Sequence, residues 1–143
     1  MSHFNCWMAV TNLAALFPLL QVKNDKLTLY SIIFAASASF ISHLFESHKH
    51  GMIGFNCSHQ ISHLLNRIDV IGAVSLIVRI FIISKWTILL KYSIPVCFCG
   101  LFNLISEYDK SRATRDFFLI THSIWHIGIF ITLYFLIKEV YDI

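Results

Sequence analysis

His122 and His126 stand four residues apart in Thr121-His122-Ser123-Ile124-Trp125-His126, inside an apolar stretch at 117–137. That spacing puts both imidazoles on one helix face, one turn apart. Ionisable side chains in a stretch long enough to cross a bilayer are costly there and mark a site with a partner. Ser39 and His43 repeat the spacing of four in an earlier apolar stretch, and Asp69 lies near the start of another. Three imidazoles around one open position are the donor set of a catalytic zinc site. Zinc so held activates water or polarises a carbonyl. Asp69 would then orient that water or take its proton, and Ser39 could donate to a developing oxyanion.

The elements that must position these residues follow from composition. The chain has 143 residues, 57% of them hydrophobic and only 13% charged, with a mean hydropathy of +0.69. A soluble domain of this size needs a more polar exterior. Thirteen Phe and many Ile and Leu fall in long runs separated by short charged stretches, the pattern of an all-α, polytopic transmembrane bundle. Five spans are expected, at about 6–22, 27–45, 68–84, 86–105 and 117–137, forming one integral membrane domain. Pro18 and Pro95 are compatible with their spans, because neighbours or water can satisfy a freed carbonyl. The first stretch lacks a basic leader and a small-x-small cleavage site and reads as a retained helix.

Five crossings place the loop after the second span and the loop before the fifth on one side. His43, Asp69, His122 and His126 then all lie toward one membrane face. At about 1.5 Å per residue, His122 and His126 sit about 9 and 15 Å in from Asp116. If the second helix continues to His48, His43 and Ser39 lie about 8 and 14 Å from its end. Asp69 matches these layers if its helix starts near Ser58 as N-cap. A lipid ester or amide near the headgroups is the natural substrate there.

Plainer readings stand beside these. The His122/His126 pair could serve interhelical hydrogen bonding, Ser39 close packing among Ser31, Ser37 and Ser42, and Asp69 an ion pair with Arg67. Glu46 could support His43 or a second ion. The loop histidines His48, His50, His59 and His63 could hold a second metal; a solvated loop is the expected state. Lys and Arg are balanced across both sides and fix no orientation. A net charge of +3 is too small and spread for nucleic acid. Cys6, Cys57, Cys97 and Cys99 show no zinc-knuckle or redox spacing. A solute transporter would show paired broken helices, which five spans do not supply.

Ser39-x-x-x-His43, a later Asp69 and His122-x-x-x-His126 in this order resemble the CREST superfamily of membrane hydrolases. That group includes alkaline ceramidases and adiponectin-receptor-like proteins. Thr121-His122-Ser123-Ile124-Trp125-His126 is similar to the last-helix motif of its transmembrane-protein-8 branch, which includes myomaker and a GPI-directed phospholipase. Ile68-Asp69-Val70-Ile71-Gly72 and Leu90-Lys91-Tyr92 look like that branch too. The resemblance implies one zinc on His43, His122 and His126, assistance from Asp69 and Ser39, and a membrane lipid as substrate. It also implies an alternative, a non-enzymatic protein of the same fold with structural zinc. The superfamily has seven helices, so this chain would be a version shortened to five.

Overall fold

The structure, a computed structural model, describes residues 3–22, 24–47, 50–55 and 57–142. Among the described residues it is all-α, with no strand. The elements are α1 (His3–Thr11), a 3-10 segment (Asn12–Ala15), α2 (Leu16–Leu19), α3 (Lys26–Phe45), α4 (His59–Ile83), α5 (Trp86–Tyr108) and α6 (Arg115–Tyr141). A short 3-10 turn at Arg112–Thr114 leads into α6.

Two antiparallel pairs form the bundle: α4 packs along α3, and α5 along α6. The α1–α2 arm touches α3 and α6 and joins the pairs. Asp25 caps α3, its carboxylate accepting from the Thr28 amide at 3.1 Å. Ser58 caps α4 as expected, accepting from the Ile61 amide at 3.3 Å. Such caps contribute roughly 0.5–2 kcal/mol each. Gly72 lets α4 lie against α3, since a Cβ there would stand 3.0 Å from the Ala35 Cα. One core gathers Ile32, Leu76, Ile80, Ile88, Phe130 and Leu133.

At the end of the bundle away from the histidines, the core is clasped by a polar group. Arg79 donates to Asp25 at 2.5 Å and to the Thr28 hydroxyl at 3.0 Å, while Tyr141 donates to Asp25 at 2.7 Å. Three helices are thereby tied at one carboxylate.

All five apolar stretches fold as helix, but only three helices among the described residues are long and apolar enough to cross a membrane: α3, α5 and α6. The first stretch is divided into α1, the 3-10 segment and α2. Pro18 has no N–H to give the Ala14 carbonyl, and the turn before it tightens to 3-10 geometry, whereas Pro95 is carried inside the continuous α5. The stretch at 68–84 belongs to a 25-residue helix, α4, that carries Arg67, Asp69 and Arg79. α3 ends at Phe45, short of His48, which lies outside the described residues.

The α5 helix buries only 11% of its apolar window. Its outward residues, among them Ile94, Phe98 and Leu104, are large and apolar. A surface of this kind suits hydrocarbon better than water.

Candidate metal centre

On α6 the buried positions Phe118, His122, His126, Phe130, Leu133 and Ile137 recur every three or four residues, so the imidazoles continue the stripe that feeds the core. On α3 the stripe Ile32, Ala35, Ser39, Ser42 ends in His43. The two stripes meet at the same end of the bundle. His43 lies 5.1 Å from His122 and 5.0 Å from His126 between ring centres, and His122 lies 4.7 Å from His126. One nitrogen from each falls within 4.8 Å of the others, and all three residues are buried, at 3, 6 and 4% exposure.

The outer contacts decide which nitrogen each ring presents. His43 Nδ1 lies 3.0 Å from the Glu46 carboxylate, which accepts from it. His126 Nδ1 lies 2.8 Å from the Thr11 hydroxyl. That hydroxyl gives its own proton to the Met8 carbonyl at 2.6 Å, so it must accept from the imidazole. His122 Nδ1 lies 2.9 Å from the Ser106 hydroxyl, whose proton goes to the Asn103 carbonyl at 2.7 Å. A hydroxyl has a single proton to give. The carboxylate holds His43 as its Nδ1–H tautomer, with the Nε2 lone pair left for the centre, and the two hydroxyls are placed to receive the same Nδ1–H tautomer from His126 and His122. The Nε2 of His43 is buried and makes no hydrogen bond among the described residues.

These residues fit a metal ion. Neutral imidazoles whose far nitrogen is fixed by a carboxylate or oxygen are the usual ligands of such centres. A tetrahedral ion bound at about 2.0–2.1 Å asks for nitrogens roughly 3.3 Å apart, so small ring rotations would close the set. The buried histidine triad could hold a metal, and its chemistry leaves a fourth position open.

The N-terminal helix covers the triad. The Asn5 amide donates to the carbonyls of His43 at 2.8 Å and Glu46 at 2.9 Å, satisfying groups at the end of α3 that the helix cannot. Trp7 donates from its indole nitrogen to the Ser123 hydroxyl at 3.0 Å. Asn5, Thr11 and Ser106 carry no spacing signal in the sequence; each matters only through what it meets. Glu46 takes the first of its two expected roles, support of His43.

Ser39 is buried one turn before His43. Gly72 against Ala35 and Arg79 against Thr28 set the register of α4 on α3. That register puts Asp69, which is half-buried, level with Ala38 and Ser39. Its carboxylate is not part of the clustered ligand set. The loop histidines divide. His59 and His63 are exposed, but His50 corrects the expectation of a solvated loop: it is fully buried and stacks on Phe118 at 4.0 Å between ring centres. Its φ of 54° turns the chain inward, and its amide donates to the Lys110 carbonyl at 2.8 Å. Gly54 then lies against the backbone of Phe45, where any side chain would collide. The loop closes over the histidine end.

A helical bundle with a buried three-histidine centre, each ring held from behind, is thus the class that fold and site define. An uncharacterized protein of Acanthamoeba polyphaga mimivirus is 36% identical over 153 aligned positions, which cover 95% of this chain and 97% of the viral one. The chain belongs to the same family as that mimivirus protein. No protein-family model matches it, and no solved structure gives a significant match.

Proposed function

We propose that the chain is a multi-pass membrane protein that binds one zinc ion at His43, His122 and His126 and hydrolyses an ester or amide of a membrane lipid. The observation that carries this reading is the buried cluster of His43, His122 and His126, each ring met at Nδ1 by Glu46, Ser106 or Thr11. Three neutral nitrogens with an open position suit zinc. Bound there, zinc supplies Lewis acidity and lowers the pKa of water. Asp69 would accept the proton released from that water and return it to the leaving group, and Ser39 would donate to the oxyanion. The three long apolar helices and the order Ser39, His43, Asp69, His122, His126 of CREST-like hydrolases support the membrane setting and the lipid substrate.

A second reading has an observation of its own. The histidines are buried at the level of a closed core, which suits structural zinc in a non-enzymatic membrane protein of the same fold. Zinc content and lipid turnover separate the two. Purified wild type should hold about one zinc and lose it in His122→Ala/His126→Ala; zinc retained by that variant would overturn the ligand set. Asp69→Asn should keep zinc and lose turnover of lipid in vesicles. A zinc-loaded wild type that hydrolyses no ester or amide lipid would leave the structural reading standing.

A further inference from the structure

Between α1 and the first half of α6 runs an open groove of about 740 Å³ that the metal centre does not use. Its size lies within the range of about 300–1,000 Å³ common for small-molecule sites. The lining changes character along its length. At the α6 N-terminal end stand His3, Arg115 and Asp116; beyond them the walls are Trp7, Leu119, Ile120 and Ile124. From Arg115 to Ile124 the helix rises roughly 14 Å, close to half of a hydrocarbon core about 30 Å thick. The groove therefore has a polar head and an apolar body one leaflet long.

The polar end is built to receive an anion. The Arg115 guanidinium lies 3.9 Å over the Phe4 ring, which holds its plane in place. Its nearest carboxylate, on Asp116, stands at 3.6 Å, too far for a hydrogen bond, and that side chain is turned out to 81% exposure. The Nε–H of Arg115 is shielded from solvent and has no acceptor among the described residues, a condition that costs free energy until an oxygen arrives. Beside it the Thr114 hydroxyl turns back to the Asp109 carbonyl and does not cap α6. The first-turn amides thus add positive potential at the same place. Guanidinium groups pair with phosphate through parallel N–H donors.

We propose that this groove binds one anionic phospholipid, its phosphate on Arg115 and one acyl chain along Leu119, Ile120 and Ile124. The proposal rests on the membrane setting but needs neither zinc nor hydrolysis. The Trp7–Ser123 hydrogen bond forms the wall between the groove and the metal centre, and Ser123 directly follows the ligand His122. A lipid seated there lies against the outer side of the α6 turn whose inner side carries His122 and His126.

The test uses Trp7 as reporter, since its ring lines the groove and is 61% exposed. Trp86→Phe and Trp125→Phe leave it as the single tryptophan of the full chain. The protein is placed in phosphatidylcholine nanodiscs that carry a small fraction of brominated lipid. Brominated phosphatidylglycerol should quench Trp7 several-fold more than the same fraction of brominated phosphatidylcholine, and Arg115→Gln should abolish the excess. Equal quenching by the two lipids, or an excess that survives in Arg115→Gln, would overturn the proposal. Ile120→Glu places a carboxylate in the groove without touching Arg115, and it too must remove the excess; helical content confirms that each variant is folded. Zinc is measured on the same samples, so loss of the lipid effect with zinc retained is distinguished from failure of the metal centre.

Discussion

Glu46→Gln isolates what the outer shell does for the proposed zinc centre. The substitution keeps shape and volume and removes only the charge. Glu46 is 1% exposed and accepts from His43 Nδ1 at 3.0 Å. It is a carboxylate in hydrogen-bond contact, whereas hydroxyls hold His126 and His122 and the Glu107 carboxylate stands 4.0 Å from the His122 Nδ1. Loss of such a partner typically weakens metal binding 10–100-fold. A charge-assisted hydrogen bond is about twice as strong as a neutral one, so Glu46→Gln belongs at the upper end, about 2–3 kcal/mol at 1.4 kcal/mol per tenfold. Thr11→Val, which removes a neutral acceptor, belongs near the lower end. The amide can also turn its NH2 toward Nδ1, forcing the Nε2–H tautomer and taking the His43 lone pair out of the centre. The assay is competition for zinc against a chelator of known affinity in detergent. Glu139→Gln, at the opposite end of α6 where the carboxylate meets Lys91 and Tyr92, serves as control. Glu46→Gln binding within twofold of wild type, or no weaker than Thr11→Val, would refute the tautomer argument.

Two predictions concern the scaffold. Burial pushes the Asp25 carboxyl up, but hydrogen bonds from Thr28, Tyr141 and Arg79 outweigh it and hold its pKa well below the ordinary 3.8. A lowered folded pKa means stability that is fully present above the unfolded value and is lost as pH falls toward the folded one. Thermal melts should therefore show wild type weakening below about pH 4 and Asp25→Asn, destabilised by roughly 1–3 kcal/mol near neutrality, nearly flat over that window; parallel curves would contradict the clasp. At the α5–α6 seam a Cβ on Gly128 would stand 2.8 Å from the Cys99 sulfur. Gly128→Ala should cost about 1–3 kcal/mol, and adding Cys99→Ala should recover most of it, as read by melting temperature; no recovery would show that the sulfur is not what limits the approach.

The clustering of His43, His122 and His126 was legible because helical periodicity is a local property. Four-residue spacing put His122 with His126, and counting crossings put His43 at the same end. That result survived although α1–α2 and α4 are not spans by length and composition, because both antiparallel pairs still bring their ends together. The broken first stretch could not be read from hydropathy, which averages over Pro18. The charges of α4 were visible, but what Arg79 does was not: its partners Asp25 and Thr28 lie more than fifty positions away. Thr11, Asn5 and Ser106 were illegible for the same reason. Serine, threonine and asparagine are common in such helices, and nothing local separates an outer ligand support from a packing residue. His50 was misjudged because loops are ordinarily solvated, and two consecutive left-handed residues, His50 and Gly51, turned this one inward.

The partnership between Thr11 and His126 spans 115 positions of sequence, and that between Trp7 and Ser123 spans 116. α1 can meet α3 early, through the Asn5 amide on the carbonyls of His43 and Glu46, but Thr11 and Trp7 have no partner on α6 until that helix is made. Before that moment His43 has its carboxylate but no companions, and the α3–α4 pair can form on its own contacts without any centre. Completion of the triad is thus a late event in the life of each molecule, and it reports that α3 and α6 have found each other.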